Sequence, residues 1–396
     1  MQQRKRTREV DSYVDAERLT RLAADLVKIP SVTGEERAVA DFLADKLKAM
    51  GLQVKTIGED VDRPNVVARL RGTEGHPVLI FNGHIDVVPP GDEKLWSYKP
   101  FAGTVENGKL LGRGSCDMKT GIAAMIEAVR AVQESGQSIR GDIVLECVAD
   151  EERGGYKGTK YVTDHGVTGD YCINCDGGDL MVGICSKGDY GVELTTIGKA
   201  AHASTPERGV NAVHQMIRLA DEVRRIPRRN GWHRRKHRLV GPPLINISVI
   251  EGGLQRNMVP DRCRMIIDRR TVPSTETMDD ARKEIRNVIE AEKRRDPRLR
   301  VEFKEIIDVD AYEVNEDEPI VQALLAAGKK VLGKRPRFTG CKGFTDGHWL
   351  TVNHKIPCAT FGGLGGGVHG VDEYAELKSF VDSAKVYAHA AVALTR

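Results

Sequence analysis

The stretch "VLECVADEERGG", residues 144–155, reads as a buried strand that runs directly into three consecutive acids, Asp150, Glu151 and Glu152. A short, uninterrupted apolar run bounded by turn residues is what a strand covered on both faces requires. Adjacent carboxylates at its end repel one another unless a positive charge sits between or beside them. The same few residues therefore bear on the fold class and ask for a cation.

Outward from this strand, the first half of the chain alternates helices and strands. "TGEERAVADFLADKLKAMG" opens with Thr33 and Glu36 at capping-box spacing, carries apolar residues at helical period and stops at Gly51. "NVVARL" and "PVLIFNG" follow as strands, "TVENGKLLGRG" holds an Asn-Gly hairpin turn, and "DMKTGIAAMIEAVRAVQESG" is a helix. This alternation predicts an α/β sheet, mixed but largely parallel, flanked by helices on both faces.

From Lys187 the pattern changes. An alternating strand, a helix over about 208–224, the strands "LINISVIEGG" and "RCRMIIDRRTV", a charged helix over 276–294 and "RVEFKEI" describe a small α+β sandwich with one open sheet edge. The α/β style returns near residue 306 with "EPIVQALLAAGKKVLG", "PCATFGG" and a final helix. The expected architecture is a catalytic domain over 1–186 and 306–396, with a second domain inserted at 187–305.

Length favours two domains, and composition is that of an ordinary globular protein. Net charge is +3 from 60 basic and 57 acidic residues, so no global field argues for nucleic acid or a membrane. Residues 224–238, "RRIPRRNGWHRRKHR", are the local exception and read as a solvated loop, since no nucleic-acid recognition fold surrounds them. The basic N-terminus lacks the apolar core of a signal peptide, and no stretch approaches a membrane span. Eight scattered cysteines, several inside apolar runs, suit reduced thiols in a cytoplasmic protein. Cys172 and Cys175 have C-x-x-C spacing, but the alternation through "YCINCD" reads as strand packing.

Candidate ligands fall at strand ends and in Gly-rich turns, where a sheet scaffold displays functional groups. "FNGHIDVVPPG" gives His84 and Asp86, on one side of a strand end, so the carboxylate can orient the imidazole. "GRGSCDMKTG" gives Asp117, for which helix capping is the commoner role of an isolated Asp. "ADEERGG" gives Glu151 and Glu152, "NCDGG" gives Asp176, and "GGGVHGVDEY" gives His369. Each alone is unremarkable. Together their order matches one pattern.

The stretches "GHIDVVPPG", "GRGSCDMKTG", "DEERGG", "GKAAHASTPERGVNA", "NMVPD" and "HGVDEY" resemble, in order and over nearly the whole chain, the dinuclear zinc amidohydrolases and exopeptidases. That family includes acetylornithine deacetylase, succinyl-diaminopimelate desuccinylase, aminoacylase and glutamate carboxypeptidase. The resemblance implies that His84 and Asp176 bind one zinc, Glu152 and His369 the other, and that Asp117 bridges both. Cobalt or manganese are possible substitutes. Asp86 would hold His84, and Glu151 would be the general base; Asp150 receives no role. His202 would reach into the active site of a partner subunit, which implies a homodimer formed through the inserted domain. Asn257 and Arg270 match positions that grip the substrate's oxyanion and carboxylate; the neighbouring Arg269 leaves the register open by one residue. Thr345 and Asp346 resemble a loop near the desuccinylase substrate site.

The residues themselves agree with that chemistry. Amide hydrolysis needs an activated water, a proton carrier and stabilisation of an oxyanion. Imidazole and carboxylate donors without cysteine suit a catalytic rather than a structural zinc site. Cys116 and Cys175 adjoin implied ligands and read as packing residues.

The chain departs from the pattern in two places. Asp176 stands in "CDGGD" where many deacylases carry Glu followed by Pro-Thr or Pro-Ser, and Asp there goes more often with aminopeptidase or dipeptidase activity. "GGLGGGVHG" lacks the Gly-Pro-Gly often seen before the matching His and is expected to be mobile, while "VVPPGDEKLW" leans towards deacylases. The expected function is hydrolysis of N-acyl amino acids or related small carboxylate-bearing amides; the closest rival is a dipeptidase or carboxypeptidase using the same site. A non-catalytic binding relative would have lost a ligand or the base, and none is missing.

Overall fold

The computed structural model describes residues 9–396. Most of the basic N-terminal segment, residues 1–8, lies outside the described residues. The chain divides into two compact units: one holds the chain up to Ile184 with Val314–Thr339 and Thr345–Arg396, the other Cys185–Glu313 with Gly340–Phe344.

The first unit is built on a mixed sheet. Four neighbouring strands at its centre, Gly141–Val148, Gly75–His84, Tyr171–Asn174 and Cys358–Thr360, run parallel. Gln53–Ile57 and Asn65–Leu70 extend it antiparallel on one side, and Gly183 pairs antiparallel with Thr360 on the other. The parallel part is therefore narrower than the sequence pattern implied. All eight residues of Gly141–Val148 are buried, as a central strand covered on both faces must be. On one face Ile80, Val144, Cys172 and Cys358 pack with Val162 and Leu350. On the other, Phe81 meets Tyr387 of the last helix, Leu377–Leu394, at 5.6 Å between ring centroids. The hairpin turn at Asn107-Gly108 forms with both residues at positive φ, as a two-residue primed turn requires.

The predicted capping box does not form. The helix begins at Arg37, and Thr33 and Glu36 at its approach are drawn away by tertiary partners. The Thr33 hydroxyl donates to Asp86 at 2.9 Å, and Glu36 accepts from Arg63 at 2.8 Å. Buried tertiary partners outcompete a local cap here.

The second unit is an antiparallel sheet in the order Leu244–Gly252, Arg262–Thr271, Gly188–Ile197, Arg300–Val309. Helices Ala212–Arg229 and Met278–Arg295 cover one face through Met216, Leu219, Ile285 and Val288. A Thr277–Asp280 capping box starts the second helix. The first helix runs to Arg229, five residues past the expected end at 224, so the basic segment begins inside it; most of its basic side chains are exposed, as a solvated surface requires, and several are paired. Arg225 and Arg229 bond Glu222, Arg235 lies 3.5 Å from Glu276 and Glu284, and His237 contacts Glu313 at 3.2 Å. The last strand continues to Val309, beyond the boundary drawn at 305.

None of the eight cysteines is in a disulfide. Cys172 belongs to the apolar core and Cys175 is buried beside it, so their C-x-x-C spacing is sheet packing. Among the described residues no helix is long and apolar enough to cross a membrane.

Candidate metal centre

The parallel strands deliver the candidate ligands in register. Ile80 pairs with Val144 and Cys172, Asn82 with Glu146 and Asn174, and His84 with Val148. One residue pair further on, the chains leave the sheet into the "DEE" turn and to Asp176. Strand carboxyl ends of an open α/β sheet are where such folds place ligands.

Beneath this edge lies a buried polar layer. Asn82 donates to Glu146 Oε2 at 3.0 Å and to Thr159 at 2.8 Å, and accepts from Asn174 at 3.1 Å; Thr360 reaches Asn174 at 3.4 Å. Sequence reading missed this layer because each residue looks like an isolated polar interruption of an apolar strand.

His84, Asp117 and Glu152 bring one ligand atom each within 4.8 Å of one another. His84 Nε2 lies 2.9 Å from Asp117 Oδ1, while His369 Nε2 lies 3.2 Å from Asp117 Oδ2 and 3.0 Å from Glu152 Oε2. Asp117 is not an N-cap: its backbone is extended, and the helix behind it starts at Thr120 without a side-chain cap.

The remaining acids feel the charges of this cluster. Burial pushes Asp176 up to about 7, with Asp117 and Glu152 repelling its charge and His84 and His369 opposing them. Burial, then repulsion from Asp176, Asp346 and Glu152, holds Glu151 well above the usual carboxylate range against the pull of His84, whose Nε2 is 4.0 Å from its Oε2. Contacts with Asp117 and Glu152 push the His369 ring up to about 10.

Asp86 contacts the imidazole differently from the expectation. His84 Nδ1 meets the Asp86 backbone carbonyl at 2.9 Å, with the carboxylate 3.6 Å away. The carboxylate instead accepts from Thr33 and from the backbone N–H groups of Glu151 at 3.2 Å and Glu152 at 3.3 Å. It thus orders the turn that carries both glutamates. Asp150 also finds a place: at φ 71° it accepts from Arg63 at 2.7 Å and from the Lys157 N–H, completing a buried Glu36–Arg63–Asp150 chain. Arg63 carried no sequence signal.

Two glycines permit this packing. A Cβ on Gly155 would collide with Asp346 Oδ1, and one on Gly365 with the Tyr374 carbonyl and Cys116 Sγ. Asp346 is therefore buried against the turn that follows Glu152, and its neighbour Thr345 is buried too. The glycine loop before His369, expected to be mobile, pairs Gly365 and Gly366 with Ala375 and Tyr374. Burial, then nearby carboxylates, pushes the Cys116 thiol far up, which makes it a packing residue rather than a reactive one.

The other predicted residues lie in the second unit. His202 is exposed on a two-residue strand whose partner begins at Met258, and the Asn257 carbonyl accepts from Ala203 at 3.0 Å, so His202 and Asn257 are neighbours. Strand alternation separates the two arginines. Arg269 is wholly buried, bonded to Glu276 at 2.6 Å and Glu284 at 3.0 Å and stacked on Trp232 at 3.9 Å. Arg270 is partly exposed and paired to Asp268 at 2.7 Å and Asp189 at 2.9 Å. Burial pushes Asp189 up to about 6 despite that pairing.

The donor set in the first unit fits two divalent cations. One carboxylate turns its two oxygens towards two different histidines, every donor is imidazole or carboxylate, and the acids outnumber the cationic groups beside them.

Comparison with known proteins gives the family and the fold. The chain belongs to peptidase family M20/M25/M40, whose pattern matches residues 80–393. It is 30% identical over 384 residues to the succinyl-diaminopimelate desuccinylase of Gluconacetobacter diazotrophicus, covering 93% of this chain and 94% of that one. Its fold is that of the M20 metallo-carboxypeptidase Sso-CP2 from Sulfolobus solfataricus (17% identity, TM-score 0.80, 95% of this chain and 99% of the other). The Bacillus subtilis YXEP protein, described as a dinuclear metal binding peptidase, is similar at 17% identity and TM-score 0.69 over 96% and 98% of the two chains. The protein is a metal-dependent hydrolase.

Proposed function

We propose that the protein hydrolyses the amide bond of N-acylated amino acids or related small carboxylate-bearing amides, using a pair of zinc ions. Cobalt or manganese are candidate substitutes. The observation that carries this reading is Asp117, whose two carboxylate oxygens face His84 and His369 separately. His84 and Asp176 would hold one ion, Glu152 and His369 the other, and Asp117 would bridge them. When bound, the metal pair supplies the positive charge that acidifies water and polarises the amide carbonyl.

The chain's own groups manage the proton. Glu151 accepts it from the attacking water on a carboxylate oxygen and returns it to the nitrogen of the leaving amine. The Asp86 carboxylate holds the Glu151 N–H, which anchors the backbone from which that side chain extends. We assign His202 of the partner subunit to the scissile carbonyl, Asn257 to the oxyanion and Arg270 to the substrate carboxylate. Supporting this, His202 is exposed beside Asn257, and Arg270 lies away from the helix-packed core that buries Arg269. This makes the working enzyme a homodimer. Eight cysteines held as thiols support a reducing, cytoplasmic location.

An exopeptidase acting on dipeptides is the second reading, favoured by Asp176, one methylene shorter than the Glu of many deacylases. The test is amine release by the zinc- or cobalt-loaded protein on a matched panel: each amino acid as its N-acetyl, N-succinyl and N-formyl derivative and as the C-terminal half of a dipeptide. Preference for the acyl series supports the deacylase; preference for dipeptides replaces it with the exopeptidase.

A further inference from the structure

Glu373 is buried, yet its carboxylate is crowded with donors. Oε2 accepts from Arg113 Nη1 at 2.6 Å and from the Gly114 N–H at 3.0 Å, and Oε1 accepts from the N–H groups of Cys116 at 2.9 Å and Asp117 at 3.1 Å. One side chain thus gathers three amides of the turn that presents Asp117. The guanidinium continues the connection: Arg113 Nη2 donates to the Gly370 carbonyl at 2.6 Å, directly after His369. The backbones are joined as well, by the Gly112 N–H on the Glu373 carbonyl at 2.9 Å.

Two loops separated by more than 250 residues are therefore fastened by one buried ion pair. One loop carries the oxygen Asp117 Oδ2, and the other carries His369 Nε2, 3.2 Å away. His369 itself is a non-glycine residue at φ 59°, in a glycine-rich loop with more than half its side chain exposed. Such a conformation persists only where surroundings impose it. The Arg113–Glu373 bracket reaches this loop from the Asp117 side, one residue after His369.

We propose that Glu373 and Arg113 are positioning residues that hold Asp117 and His369 at ligating distance, so that the His369–Glu152 metal position depends on them more than the His84–Asp176 position does. The inference rests on the two-metal reading above. Partners that orient metal ligands typically contribute about 10–100-fold in affinity.

The experiment is calorimetric titration of zinc into the metal-free, full-length protein and its variants, together with circular dichroism. Wild type is expected to take up two equivalents. Glu373→Gln, which replaces an acceptor oxygen with an NH2 facing N–H donors, should keep the fold and the first equivalent but weaken the second at least about tenfold. Arg113→Lys, which keeps charge but cannot span both Glu373 and Gly370, should weaken the same equivalent less. Asp372→Asn is the comparison: its carboxylate anchors the same loop to Ser97 (N–H at 2.7 Å, hydroxyl at 2.8 Å) without touching the Asp117 turn, and it should retain both equivalents. Wild type binding fewer than two zinc ions would overturn the two-metal reading itself. Two tight equivalents in folded Glu373→Gln and Arg113→Lys, or equal loss in Asp372→Asn, would overturn the bracket while leaving that reading intact.

Discussion

Glu146 offers a direct measure of what the site's foundation costs. It sits mid-strand, fully buried, with one hydrogen bond from Asn82 to Oε2 and no partner for Oε1. Burial pushes its carboxyl from 4.5 up to about 7, only partly offset by Asn82. The folded state therefore holds a proton that the unfolded chain releases above about pH 4.5. Stability is intact below that point, falls as pH rises through about 7, and the loss is then complete. A shift of that size corresponds to about 3 kcal/mol. Glu146→Gln keeps the shape and an acceptor for Asn82 but cannot ionise. Its unpaired amide costs about 1 kcal/mol at every pH. The variant should therefore be slightly less stable than wild type near pH 5, and more stable by about 2 kcal/mol near pH 8. Thermal unfolding of the metal-free protein reads this as a difference in Tm that changes sign, reaching about 2–4 °C at the alkaline end. A difference between variant and wild type that does not change with pH would refute the reasoning, because it would mean that Glu146 does not titrate in this range.

Glu151→Gln should retain zinc by elemental analysis yet lose turnover by about 100-fold or more; substantial residual activity would remove Glu151 as the proton carrier. His202→Ala should leave zinc content unchanged while lowering turnover about 100-fold, and mixed dimers with Glu151→Gln should regain activity if the site is shared. Failure of that complementation in verified heterodimers would argue against sharing. The adjacent arginines should separate cleanly. Arg269→Met strands Glu276 and Glu284 in the core and should destabilise by about 3 kcal/mol or more. Arg270→Met leaves the largely buried Asp189 without its cation, whereas Asp268 is partly exposed, so it should cost less, about 1–2 kcal/mol, and raise KM for carboxylate-bearing substrates. Equal Tm losses in the two variants would contradict that division.

The residues expected to hold metal were legible because they end apolar strands or follow glycine turns, and the structure brings His84, Asp117, Glu152 and His369 within contact. The residues that arrange them were not. Arg63 reaches back 27 residues to Glu36 and forward 87 to Asp150, and Arg113 reaches 260 to Glu373. Periodicity and spacing report only neighbours in the chain, so a buried ion pair closing a long loop leaves no trace in them. Local spacing also misled. Thr33 and Glu36 have the interval of a capping box, but each meets a buried partner of greater consequence in Asp86 and Arg63. The extent of the parallel sheet was overread for a related reason: a strand buried on both faces looks alike in sequence whichever way its neighbours run.

The polar layer explains why a fold would keep an unstable residue such as Glu146 in its centre. The apolar layer below it consists of Ile80, Val144, Cys172 and Cys358, which pack without regard to small slips. A slip of one residue would turn His84 to the opposite face of the sheet and remove it from Asp117. Glu146, Asn82, Asn174 and Thr360 oppose such a slip because their hydrogen bonds exist in one register only, across all four parallel strands. Each apolar replacement that would stabilise the sheet would also loosen the specification of where its strand ends meet. The site is thus set from beneath by register, from behind by Asp86 and Arg63, and from the side by Glu373, and only the first of these acts within the sheet itself.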